Sequence, residues 1–72
     1  MEQLATTRVR HSMLLAVHMQ LRNYLDCADH GYLGTLSPME QDLMKDLKNT
    51  RNSVEKLLKY YFDKEESLAH PF

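Results

Sequence analysis

Glycine and proline occur only twice each in these 72 residues, tryptophan is absent, and there is a single cysteine, Cys27. One thiol excludes an intramolecular disulfide and suits a reducing compartment. The scarcity of Gly and Pro leaves long stretches in which nothing interrupts a helix, and it excludes collagen-like and Gly/Pro-rich disordered classes. Charge of one sign is missing too. Nine Lys plus Arg face ten Asp plus Glu, so no concentrated positive field is available for nucleic acid. Long apolar runs are absent: the longest, Met13-Leu14-Leu15-Ala16-Val17, falls far short of the ~18 residues of a membrane span. It is short even for a signal-peptide core, so a cytoplasmic protein without membrane insertion is expected. A chain of this size is one domain, and its core rarely supplies more than ~3–5 kcal/mol. Without a disulfide or a metal to assist, a partner surface becomes the expected source of further stability.

What is present is helical rhythm. Both glycines and Pro38 fall between positions 31 and 38, in Gly-Tyr-Leu-Gly-Thr-Leu-Ser-Pro, which divides the chain in two. Ser37-Pro38-Met39-Glu40 joins an N-cap serine, a proline at the first helical position and a glutamate spaced to close a capping box. Gly31 suits the left-handed conformation that ends a helix. The expectation is all-α: an antiparallel two-helix hairpin with a coiled-coil-like seam. Helix 1 covers about 2–30, the turn 31–37 and helix 2 about 38–67. Pro71 stops further helix, so Phe72 belongs to a short C-terminal tail.

Spacings of three and four give helix 1 a seam of Leu4, Thr7, His11, Leu14, His18, Leu21, Leu25 and Ala28. In helix 2 the same rhythm runs from Glu40 through Leu43, Leu47, Thr50, Val54, Leu57, Tyr61 and Lys64 to Leu68. Antiparallel neighbours have position numbers with a constant sum. At a sum of 68, seam meets seam throughout: Leu25 with Leu43, His18 with Thr50, His11 with Leu57. Beside this seam, Leu15, Met19, Met44, Leu58 and Phe62 collect on one flank as the expected partner-binding surface. The opposite flank gathers Met13, Val17, Tyr24, Met39 and Tyr60, so neither side is polar.

No group of residues suggests catalysis. His11 and His18 share a heptad position but lie ~10.5 Å apart along the axis, beyond the reach of one metal ion. The expected role of His18 is a polar layer with Thr50 that fixes register. Cys27 stands beside Asp26 and Asp29, which disfavour a thiolate. Acids such as Asp42 and Glu55 have lysines three or four residues on and read as a solvated face. Neither enzyme nor cofactor nor metal is expected.

The Leu21-Arg22 pair late in helix 1, the Leu36-Ser37-Pro38 turn followed by Gln41, and the Tyr60-Tyr61-Phe62 cluster resemble those of the small YscE/EscE-type co-chaperones of bacterial type III secretion needle subunits. The resemblance spans about half the chain. It implies a helical hairpin that pairs with a larger helical-repeat chaperone to keep the needle subunit monomeric in the cytosol, with the Leu15, Met19, Met44, Leu58 and Phe62 surface on that chaperone. The alternative is self-association as a homodimeric four-helix-bundle regulator binding nucleic acid or a transcription factor, in which Arg8 and Arg10 would join residues of a second chain. A resemblance to hairpin phosphatases of sporulation regulators fails at their Ser-Gln-Glu-Leu-Asp run, since the nearest stretch is Glu40-Gln41-Asp42-Leu43.

Overall fold

A computed structural model describes residues 3–69. Two antiparallel helices, α1 (Leu4–Asp29) and α2 (Pro38–Ala69), make an all-α hairpin. At ~1.5 Å per residue, the 32 residues of α2 account for nearly all of the longest dimension of a rod measuring 52 × 17 × 16 Å. Glu2 and the tail from His70 to Phe72 lie outside the described residues, and α2 reaches two residues past the expected end at position 67.

The connection is built as its residues suggest. At the end of α1 the Gly31 N–H donates to the Ala28 carbonyl (3.2 Å) and the Tyr32 N–H to the Cys27 carbonyl (2.9 Å), with Gly31 at φ +77°. That pair of bonds is a Schellman motif, and it needs a left-handed residue where glycine stands. His30 stays at the helix end by donating from Nδ1 to the Asp26 carbonyl at 2.7 Å, and its ring stacks on Tyr32. Seven residues later the capping box closes. The Glu40 N–H donates to Ser37 Oγ (3.3 Å), while the Ser37 N–H and hydroxyl both donate to Glu40 Oε1 (3.1 and 2.8 Å). Gln41 Nε2 ties the preceding Leu36 carbonyl to the same turn at 3.1 Å. The other helix start has no side-chain cap; there the buried Thr7 satisfies its hydroxyl by donating to the Gln3 carbonyl.

In α1 the inward stripe is the expected one: all eight residues from Leu4 to Ala28 are buried or partly buried, Leu25 completely. In α2 half of the stripe differs. Met44, Leu47, Arg51, Val54, Leu58, Tyr61, Glu65 and Leu68 face inward and the expected Lys64 is partly buried, whereas Glu40, Leu43, Thr50 and Leu57 are exposed. Two consequences correct the sequence reading. Met44, 8% exposed, and the partly buried Leu58 are seam residues rather than part of an outer partner surface. The register is also displaced. His11 meets the Tyr61 ring (centroids 6.3 Å apart) and not Leu57, so position numbers across the seam add to about 72 instead of 68. A change of four in that sum slides α2 by ~6 Å, about one turn. The cause is the connection: residues 31–37 run past the end of α1 before α2 begins, so its first turn overhangs.

Two outcomes test this arrangement. Leu58→Asp places a charge in the seam at ~2–5 kcal/mol, as much as the whole stability of so small a fold, and should abolish the far-UV helical signal. Leu57→Asp should stay folded, and equal loss of helicity in both variants would contradict the seam. Separately, the bonds from Ser37, its hydroxyl first and then its N–H, hold the Glu40 carboxyl below the ordinary 4.5. A depressed folded-state pKa stabilises above the unfolded value and is lost as pH falls through the folded one. Ser37→Ala should therefore lower the urea midpoint at neutral pH by about 1 kcal/mol equivalent, and its deficit against wild type should shrink below pH 4.5.

Candidate docking site

The polar residues of the seam come first, because they decide what else can face outward. His11 Nδ1 lies 3.2 Å from Glu65 Oε2, both largely enclosed. His18 Nε2 lies 3.5 Å from Glu55 Oε1 but is not aligned as a hydrogen bond, leaving a buried ring nitrogen without one. Glu55 also takes Arg51 Nε at 3.7 Å. The expected His18–Thr50 layer is thus replaced by a polar one of His18, Arg51 and Glu55, with Thr50 outside. Nearer the loop, Lys48 Nζ reaches Asp29 Oδ1 at 3.6 Å. These cross-helix pairs all occupy one flank, and they make that flank polar.

That flank was expected to bind a partner. Of its five residues, Leu15, Met19 and Phe62 remain exposed, Met19 by 69% and Phe62 by 56%. They do not form a continuous apolar strip. Met19 borders a shallow depression shared with Gln20, Arg22, Asn23 and Asp26, where Arg22 Nε lies 3.7 Å from Asp26 Oδ2. Leu15 and Phe62 share the flank with Lys48 and Glu55, so any partner covering them must also desolvate ionic groups.

The opposite flank is where apolar surface accumulates. An open groove of about 600 Å³ runs between the helices, lined by Val17, Leu21 and Tyr24 of α1 and Leu43 and Leu47 of α2, with Ala16 and Gln20 at its rim. Leu43 and Leu57, 45% and 41% exposed, belong to this side because α2 turns the neighbouring residues Met44 and Leu58 inward. Met13, Met39 and Tyr60 are exposed as well. At seven-residue or three-and-four spacing they share this flank with Val17 and Leu43. Sequence reasoning had already grouped Met13, Val17, Tyr24, Met39 and Tyr60 here. It missed Leu43 and Leu57 by assigning them to the seam. The signal that could have found them is the charge pairing: Glu65 beside His11 and Lys48 beside Asp29 have sums of 76 and 77, well away from 68.

Among the described residues no group of three or more His, Cys, Asp or Glu could hold a metal ion, and no helix is long and apolar enough to cross a membrane. Cys27 is a partly buried free thiol that donates weakly to Asn23 Oδ1 at 3.9 Å.

Neither a family model, nor a curated protein, nor a solved structure matches this chain.

The unsatisfied nitrogen at His18 sets an expectation about stability. Replacing a buried polar group that lacks its hydrogen bond with an apolar one of similar size is neutral to stabilising. His18→Leu should raise the urea midpoint, by about 1 kcal/mol in unfolding free energy. A lower midpoint would show instead that the charge attraction to Glu55 outweighs the missing bond.

Proposed function

We propose that this hairpin is a non-catalytic protein–protein interaction module that docks on a larger helical protein through the Val17, Tyr24, Leu43 and Leu57 flank. One observation carries the reading. The apolar groove lies on the flank opposite the His18–Glu55 and Asp29–Lys48 pairs, so covering it removes hydrocarbon from water without stripping those charges. A helix laid along it would meet side chains at the three-and-four spacing that a helix presents. At roughly 25 cal/mol per Å², burying a few such side chains contributes several kcal/mol, comparable with the stability of the hairpin itself.

The resemblance to needle co-chaperones gives that partner a concrete form: a helical-repeat chaperone that holds the hairpin and a needle subunit together in the cytosol. An uncovered groove on a thin rod fits such a role, and so do the exposed methionines Met13 and Met39, whose flexible thioethers adapt to irregular surfaces. Nucleic acid is a poorer partner for this flank. Its middle is apolar, and the basic side chains of α2 are interspersed with Asp42, Asp46, Glu55 and Asp63.

Mixing the purified chain with a needle subunit and its helical-repeat chaperone should give a soluble complex on gel filtration. Leu43→Asp and Leu57→Asp should each weaken it at least tenfold by calorimetry, while Phe62→Asp changes it less than threefold, an expectation set by a few kcal/mol for a central apolar contact. Raising salt from 50 to 500 mM should change the affinity little, since about three to five decades of loss in a smaller salt range mark phosphate contacts instead. A complex sensitive to Phe62→Asp and blind to Leu43→Asp would move the docking face to the other flank. No complex at all would remove the co-chaperone role.

A further inference from the structure

We propose that Met13 and Met39 are modification sites for a peroxide-class oxidant, and that their conversion to sulfoxides releases a docked partner while leaving the hairpin folded. The inference rests on the docking reading of the groove and adds a means of regulating it.

Accessibility is the first argument. The four methionines among the described residues lie in three different surroundings. Met13 and Met39 are 67% and 81% exposed, and they stand on the groove flank, four residues before Val17 and Leu43 respectively. Met19, 69% exposed, stands on the other flank beside Arg22, Asn23 and Asp26. Met44 is the exception, enclosed in the seam at 8%. Oxidation of a side chain follows its exposure to the oxidant, so the fold itself separates three reactive methionines from one that is protected.

Chemistry is the second. Hydrogen peroxide, the simplest oxidant of the class, transfers one oxygen to the thioether sulfur. The S–O bond forms as the O–O bond breaks, the sulfur gives up two electrons, and the departing hydroxide takes the proton from the transferred oxygen and leaves as water. No cofactor is required. The product is a polar side chain with an acceptor oxygen where a flexible apolar one had been. On the free hairpin that oxygen stays in water at Met13 and Met39, and the seam is untouched. Beneath a partner the oxygen must lose its water, which turns a favourable apolar contact into a costly polar one. At Met44 the same oxygen would enter the seam, and burial there keeps the oxidant away.

Position supplies the control. Met19 matches Met13 in exposure and in chemistry but lies off the docking flank, so its oxidation reports on the oxidant and not on docking. A docked partner likewise covers Met13 and Met39 and leaves Met19 open.

The full chain carrying Cys27→Ser, which removes the competing thiol, should be treated with hydrogen peroxide and mapped by mass spectrometry. Met13, Met19 and Met39 should oxidise together and Met44 at least about tenfold more slowly, because a buried side chain reacts when the structure opens. The far-UV helical signal should persist after the first three have converted. The oxidised chain should bind a needle subunit with its helical-repeat chaperone about tenfold more weakly. Adding Met13→Leu and Met39→Leu should preserve the affinity through the same treatment, although Met19 is still oxidised. Met44 reacting as fast as Met13 overturns the proposal, and so does helix lost as Met13 and Met39 convert. An equal loss of affinity in the leucine variant also overturns it. A complex that forms before oxidation and is unchanged after it removes the switch and leaves the docking reading intact, whereas an unoxidised chain that binds no helical protein removes both.

Discussion

Two helices touch along a single line, and that geometric fact governs the molecule. Each helix can turn only about two of every seven positions toward its neighbour, so a hairpin shelters one stripe per helix and leaves the flanks to water. With Leu25 and Thr7 as its fully buried side chains, the seam is narrow, and it is polar in places: His11, His18, Arg51 and Glu65 all lie in it. Everything else follows from which stripe is spent on the seam. The ionic groups that serve the seam make one flank polar, and the apolar residues left over make the other flank a groove.

The connection between the helices determines that choice. The Schellman motif at Gly31 ends α1, and the capping box at Ser37 starts α2. Between them the chain climbs roughly a turn beyond the end of α1, which sets the height at which α2 comes back. The height fixes the register, and the register decides whether α2 presents Leu43 and Leu57 or Met44 and Leu58 to α1. Local hydrogen bonds in an exposed loop therefore control which apolar residues are left exposed ~25 Å away along the helix.

Legibility in the sequence divides along the same line. The eight-residue stripe of α1, the Gly31 and Ser37 caps and the antiparallel turn were all readable, because each is encoded locally: a spacing, a cap residue, a residue tolerant of φ > 0. The flank of Met13, Val17, Tyr24, Met39 and Tyr60 was readable too, since it depends on the α1 stripe and on three-and-four spacing. The α2 seam was half right. Leu47, Val54, Tyr61 and Leu68 are common to both candidate stripes of α2, while Leu43, Thr50 and Leu57 turned out to be outside. The constant-sum argument accepts 68 and 72 equally, because two heptad repeats four residues out of step align just as well. Met44 and Leu58 were consequently assigned to a partner surface although they close the hairpin.

Composition and spacing by themselves determined that this chain forms two long helices folded back on one another, because helix starts, helix stops and a heptad period are properties of short segments. Only the folded chain decided which of two neighbouring stripes on α2 goes inward. Adjacent residues on a helix differ by about 100° around its axis, and because the two stripes share Leu47, Val54, Tyr61 and Leu68, the choice between Leu57 and Leu58 rotates the second helix by about 50° and exchanges a core leucine for a surface one. Local rules are indifferent to that rotation; the length of the climb between the helices and the pairing of His11 with Glu65 and of Asp29 with Lys48 are not.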